Sequence, residues 1–264
     1  MPRTVPTVCV RINCATSTRW GAHDLHAIAA LRCDALLLPK VEDCKHVQAA
    51  WDTLERSQPF DLSVAPPALW CMVETARGVQ RADSIAGKPA FHFHPRPFLL
   101  KQPFDRRSAD LDGVAALVFG SNDLTKDLRA RHTASREPLL YAMSKVVCAA
   151  RAAGKQAIDG VHFDVRDVEG VARACRQGRD LGFDGKSLIH PSQIGPANEG
   201  FGPSPEELTQ ARKVIQAYEG QTGSGQGVIA VDGHMVEALH VEQSKLLIAD
   251  AEEIERIERA RISK

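Results

Sequence analysis

Six times within the first 191 residues, a short run of branched apolar residues is followed by a stretch with helical spacing. This alternation constrains the fold more than any other feature. The runs are TVCVRIN (7–13), DALLLPK (34–40), ALWCMVE (68–74), AALVFG (115–120), QAIDGVH (156–162) and KSLIHP (186–191). Their hydrophobicity is nearly continuous, as in strands covered on both faces of a parallel sheet; half-exposed strands alternate instead. The intervening periodicity predicts helices over 20–31, 44–57, 137–153 and 167–181, with Gly154 and Gly182 as C-terminal stops of the last two. A β-α order repeated six times predicts right-handed crossovers and a parallel sheet, either doubly wound or a (β/α) barrel.

Beyond the sixth run the pattern changes. PSPEELTQARKVIQAYEG reads as a helix with Ser204 as N-cap and Glu207 three residues on, and a long helix is predicted over about 240–262. Between them, GSGQGVIAVDGHMVE reads as a Gly-rich turn and a short extended piece. One segment breaks the earlier rhythm: residues 87–110, with four prolines and no sustained period, are read as a long insertion, either disordered or lid-like.

Composition excludes some classes of function. The 33 basic and 33 acidic residues balance, so no global field draws in nucleic acid or an anionic membrane, and an anionic ligand must be held locally. The seven cysteines form no C-x-x-C pair and lie mostly in apolar runs, as expected of a reduced, cytoplasmic protein. No apolar stretch reaches the roughly 18 residues that span a bilayer, and residues 1–7 lack the pattern of a signal peptide.

In parallel β/α architectures the loops after the strands form the site, and here the strand ends are polar. They carry Arg11 and Asn13, Lys40 and Glu42, Glu74, Asp123, Asp159 and His190 in turn. Glu74 and Asp123 follow consecutive strands about 5 Å apart, so both carboxylates can reach one point. Two converging carboxylates call for a cation, and a hard ion such as Mg²⁺ takes one or two carboxylates while leaving positions for substrate. The alternative is that each merely caps the helix after it. Arg11 within an apolar run needs an anion if buried, either a substrate oxygen or an acid on a neighbouring strand. Asp159 is read as bonding the amides of its own turn, and His190 as either a ligand or a packed side chain. His92 and His94 have a spacing that metals tolerate but lack a third ligand nearby. No G-x-S-x-G occurs, and no cysteine sits in an activating setting.

The motifs VRIN, LLLPKVED, VETARGV, LVFGSNDLTKDL, AIDGVHFDVRDVEG and GFDGKSLIHPSQI resemble, in that order, the HpcH/HpaI aldolase and citrate lyase β-subunit family, especially its CoA-ester lyases for malyl-CoA and citramalyl-CoA. The resemblance implies a (β/α) barrel binding Mg²⁺, or Mn²⁺ in its place, through Glu74 and Asp123. It implies that Arg11 contacts substrate and that Ile189 and His190 line an acyl-CoA pocket. Some such lyases carry G-x-M-I-D near the C-terminus and supply its Asp to a neighbouring subunit. This chain reads GHMVE, which puts Glu237 there, with Asp232 a weaker candidate.

Relatives also begin with two further β/α units that this sequence does not show. The expectation is therefore an incomplete barrel over 1–200, with six of eight strands and two exposed edges, and a helical extension over 201–264. The implied activity is Mg²⁺-dependent cleavage of a 3-hydroxyacyl-CoA dicarboxylate to acetyl-CoA and a 2-oxo acid. A thioesterase using the same pocket and a catalytically silent assembly partner are the alternatives. The implied partners are acyl-CoA, 2-oxo acids and further copies of the chain, as a dimer, trimer or hexamer, with no nucleic acid and no membrane.

Overall fold

The computed structural model describes residues 7–14, 19–29, 31, 33–57, 67–87, 113–221 and 228–262. The Pro-rich insertion from residue 88 onward, with His92 and His94, lies outside them. The chain divides into two compact units, whose described parts are residues 7–201 and 202–262.

In the larger unit six parallel strands pair in chain order: β1 (Cys9–Arg11), β2 (Ala35–Leu38), β3 (Ala68–Val73), β4 (Val114–Phe119), β5 (Gln156–Asp159) and β6 (Gly185–Lys186). A doubly wound sheet reverses its strand order at a switch point, whereas a barrel adds each strand beside the last. The observed order, curled into a half-barrel, is that of an incomplete (β/α) barrel. Among the described residues β1 and β6 are its edges. Helices α1 (Arg19–Ala29) and α2 (Cys44–Ser57) follow the first two strands. The short α3 (Ala76–Gln80) and α4 (Ala82–Ala86) follow β3, and α5 (Ser121–Asp127) and α6 (Leu140–Ala152) follow β4. Helix α7 (Val168–Asp180) follows β5, and α8 (Ile194–Phe201) follows β6.

Period-2 geometry sorts the strand residues between two faces. Leu36, Leu38, Leu69, Cys71, Val73, Leu117, Phe119 and Ala157 pack in one core with Leu25, Leu54, Ile85, Met143 and Val146 from the helices. Residues of the other parity, among them Leu37, Trp70, Met72, Val118 and Ile158, lie on the face that forms a barrel's interior. The helix ends have local causes. The Asp167 carboxylate accepts from the Gly170 N–H at 2.8 Å and starts α7, while Gly154 and Gly182, at φ 66° and 95°, end α6 and α7 in conformations that favour glycine.

The smaller unit comprises α9 (Pro205–Gln221), β7 (Val228–Val231), β8 (His234–Glu237) and α10 (Ala238–Ile262) around Val214, Ile229, Val231, Val236 and Val241. Ser204 and Glu207 form the expected capping box: Ser204 N–H donates to Glu207 Oε2 at 2.8 Å, and Glu207 N–H donates to Ser204 Oγ at 3.2 Å. The single extended piece expected between the helices is instead an antiparallel hairpin. Asp232 and Gly233, at φ 49° and 80°, make the two-residue turn whose twist matches its strands.

Candidate active site

Glu74 is the first residue past β3. It keeps the parity of Trp70 and Met72, so it belongs to the face away from the helix-packed core. It caps no helix. Thr75 is the N-cap of α3, accepting from the Gly78 N–H at 3.0 Å, and Arg77 pairs with Glu42 at 3.7 Å. Nor is Asp123 a cap: Gly120 holds that position for α5, and Asp123 lies in the first turn. With the capping alternative gone, neither carboxylate is committed to a helix end.

The Asp123 carboxylate lies near enough to act on the charge of Glu74, and Lys40 touches both. Glu74 is 6 % exposed, and its Oε1 accepts the Lys40 backbone N–H at 2.9 Å. Lys40 presents that amide from a left-handed conformation, φ 51°, while its Nζ lies 3.6 Å from Asp123 Oδ1. The β4 end must be a glycine: a Cβ on Gly120 would lie 2.4 Å from Glu74 Cβ and 2.7 Å from Oε2. Burial raises the Glu74 pKa above the ordinary carboxylate range, and the Asp123 charge adds to the rise, against the opposing Lys40 amide.

Burying a carboxylate beside a second one disfavours its charge, and a proton or a bound cation relieves that cost. Among the described residues no group of three or more His, Cys, Asp or Glu side chains gathers at one point. A cation held here would have an all-oxygen, two-carboxylate protein shell and would complete it with water or substrate. That is how Mg²⁺ is bound where it works on a ligand rather than on a fold.

The remaining candidates are more dispersed. Arg11 is exposed on edge strand β1, in register with Leu37 and the row of Trp70, four residues ahead of Glu74 along β3. It makes no ion pair among the described residues. Ile189 is 52 % exposed, and its N–H donates to Gln193 Oε1 at 3.0 Å. His190 is exposed and caps the 3₁₀ turn Pro191–Gln193, accepting from the Ser192 N–H at 3.2 Å. The structure therefore reads His190 as a cap, not as a packed core residue. Glu237 ends β8 in the smaller unit, half-buried, with its N–H donating to His240 Nδ1 at 2.9 Å. Asp232 is taken up by the hairpin turn and a 3.4 Å pairing with Lys213.

Asp159 faces the helices and is fully buried. It does bond its own turn, accepting the Gly160 N–H, but it also binds Arg136 and Lys186, which sequence reasoning did not foresee. Those residues are 23 and 27 positions away, and nothing local signals the contact. The parts played by the Lys40 amide and by Gly120 were missed for the same reason.

Comparison with known proteins places these residues in context. The profile of the HpcH/HpaI aldolase/citrate lyase family matches residues 2–191. A (3S)-malyl-CoA thioesterase of Cereibacter sphaeroides is 38 % identical over 246 residues, 93 % of this chain and 74 % of that protein. A mitochondrial citramalyl-CoA lyase of Rattus norvegicus is 31 % identical, covering 93 % of this chain and 69 % of its own length. Among solved structures, that of the Mycobacterium tuberculosis protein CitE in complex with magnesium, acetoacetate and coenzyme A superposes with a TM-score of 0.71 at 29 % identity, over 92 % of this chain and 77 % of that one.

Proposed function

We propose, given that this chain belongs to the HpcH/HpaI aldolase/citrate lyase family, that it is a Mg²⁺-dependent carbon–carbon lyase acting on a 3-hydroxyacyl-CoA dicarboxylate of the malyl-CoA or citramalyl-CoA kind. The observation that carries this reading is the placement of the Glu74 and Asp123 carboxylates at the ends of the adjacent strands β3 and β4, both beside Lys40. The magnesium in the CitE complex and the lyase named among the relatives support it. Mn²⁺ should substitute for Mg²⁺.

In the cleavage the 3-hydroxyl loses its proton and the bond between C2 and C3 breaks. The electron pair passes to the thioester as an enolate, which is then protonated on carbon. Glu74 and Asp123 would hold the ion, which when bound supplies a Lewis acid for the oxygen that becomes the ketone. The Lys40 amide fixes one Glu74 oxygen and leaves the other available. Arg11, exposed on the same barrel-side face, would offer its guanidinium to the thioester oxygen as negative charge develops there. Ile189 and His190 would line the acyl-CoA, and Glu237 would move the proton at the enolate carbon, offered to a neighbouring copy in a homo-oligomer.

The 38 % identity to a thioesterase favours a second reading on the same site, in which water attacks the thioester and free CoA leaves. One assay separates the two. The purified chain is incubated with Mg²⁺ and malyl-CoA or citramalyl-CoA, with trapping of 2-oxo acid and a separate titration of free thiol. Production of 2-oxo acid that EDTA abolishes is the expected result. Free CoA without 2-oxo acid would establish the thioesterase instead, and neither product would overturn both.

A further inference from the structure

On the helix-packed side of the sheet, the Asp159 carboxylate is engaged all round. Oδ1 accepts from the Gly160 N–H at 2.7 Å, Arg136 Nη1 reaches both oxygens at 2.8 and 2.7 Å, and Lys186 Nζ lies 2.8 Å from Oδ2. Arg136 is further tied to Gln177 Oε1 and the Ala174 carbonyl of α7. The Lys186 side chain is 1 % exposed and that of Arg136 13 %, so two sequestered cations share one carboxylate. Clusters of this kind contribute little net stability, because the desolvation they require offsets most of the attraction and apolar replacements are often as stable.

What the cluster touches suggests another role. Both polar backbone groups of Gly160 are held by it, the N–H by Asp159 and the carbonyl by Lys186 Nζ. Gly160 in turn lies hard against the start of α5: a Cβ there would sit 2.8 Å from the Phe119 carbonyl oxygen, 3.2 Å from Ser121 Oγ and 3.3 Å from Ser121 N. One residue before Ser121, Gly120 packs in the same manner against Glu74. The tight spaces at Gly160 and Gly120, neither of which has room for a Cβ, therefore link Lys186 by way of Ser121 to Glu74, and Asp123 is two residues past Ser121 on the same helical turn.

We infer that Arg136, Asp159 and Lys186 form a positioning clamp for the carboxylate pair: by immobilising Gly160 they set where α5 begins, and so how far Asp123 stands from Glu74. The inference rests on reading that pair as a metal site, and it predicts ion selectivity. Mg²⁺ demands near-ideal octahedral geometry at about 2.0–2.1 Å, whereas Ca²⁺ accepts looser shells at about 2.3–2.6 Å. Loosening the clamp should weaken Mg²⁺ more than Ca²⁺.

The test is calorimetric titration of the metal-free full chain with MgCl₂ and with CaCl₂, beside a thermal melt. Lys186→Met leaves a balanced Arg136–Asp159 pair, and is expected to weaken Mg²⁺ binding about tenfold, as outer residues of metal sites do, with a smaller change for Ca²⁺. Lys186→Arg should recover part of the loss. Gly160→Ala, which leaves every charge in place, should weaken Mg²⁺ similarly, and it decides the matter if Lys186→Met fails to fold. Arg151→Ala breaks the pair with Asp184 beside β6 but not the clamp, and should lower the melting temperature with Mg²⁺ affinity unchanged. Wild-type Mg²⁺ affinity in both Lys186→Met and Gly160→Ala, or equal losses for the two ions, would overturn the clamp. No Mg²⁺ heat from the wild-type chain would remove the metal site itself, and the clamp's purpose with it.

Discussion

Glu74 and Asp159 are both acids at the ends of strands of one sheet, and both are nearly sealed from solvent, at 6 % and 0 % exposure. Their surroundings are opposite. Asp159 shares the parity of Ala157 and lies on the helix side, where two cations and an amide satisfy it. Glu74 shares the parity of Met72 and faces the barrel side, where its neighbours are another carboxylate and the Lys40 amide. A shift of one residue in a period-2 pattern thus decides whether a buried acid is a finished structural joint or a site short of positive charge. The acid that shares its surroundings with a second carboxylate is where a ligand belongs.

The sharpest way to break this contrast is to neutralise each acid in turn. Asp159→Asn leaves two buried cations without an anion, and should destabilise the metal-free protein by about 3–5 kcal/mol, a large part of a typical domain's stability. Glu74→Gln removes a repulsion, so metal-free stability should hold or rise slightly. Its Mg²⁺-dependent turnover should nevertheless fall about 10³-fold, roughly 4 kcal/mol of transition-state stabilisation. Urea denaturation and a product assay on both variants measure the two effects. A Glu74→Gln protein that unfolds easily yet turns over normally would reverse the assignment.

Much of this was legible in the sequence because it is local. Each of the six strands falls within or beside its predicted run, and α2 has the predicted bounds, 44–57. The Ser204–Glu207 box and the stops at Gly154 and Gly182 were readable because capping depends on residues three or four apart. That Glu74 and Asp123 lie near each other was readable because the ends of neighbouring strands must be close. The hairpin at Asp232–Gly233 had a local signal too, a two-residue Asp-Gly turn between short apolar runs, but the glycine-rich lead-in was read as the turn instead. The Arg136–Asp159–Lys186 cluster had none. Its members come from a loop and two strands, and Arg136 occupies a left-handed conformation, φ 56°, that only the assembled fold enforces.

Titration sharpens the same comparison with a smaller effect. The folded-state pKa of Glu74 lies above its ordinary value of 4.5, so the proton binds the folded form more tightly than the unfolded chain. In metal-free protein the corresponding stability is fully present below pH 4.5 and is lost as pH rises through the raised value. Saturating Mg²⁺ should flatten or invert that slope, because the ion competes with the proton, and Mg²⁺ affinity should fall by up to about tenfold per pH unit below the raised pKa. Melting temperature against pH, with and without Mg²⁺, reads both effects. Glu74→Gln should remove the part of the metal-free slope that falls with rising pH above 4.5; an unchanged slope there would place the titration elsewhere.

The smallest expected effect concerns Lys40, a cation near the pair. Lys40 Nζ stands 3.6 Å from Asp123 Oδ1, with side chains 46 % and 42 % exposed, and a surface pair of this kind contributes at most about 1 kcal/mol. Its backbone amide, bonded to Glu74, survives any side-chain change except to proline. Lys40→Met should therefore shift stability by no more than about 0.5 kcal/mol. Because the ammonium competes with a bound divalent ion for Asp123, its removal should tighten Mg²⁺ binding by about two- to fivefold in dilute buffer. That gain should shrink toward 1 M salt, where exposed charges are screened within about 3 Å. Were Lys40→Met instead to lose Mg²⁺ as Glu74→Gln does, Lys40 would be part of the ion's seat. The barrel-side site would then resemble the sealed cluster behind the sheet more closely than their opposite parities imply.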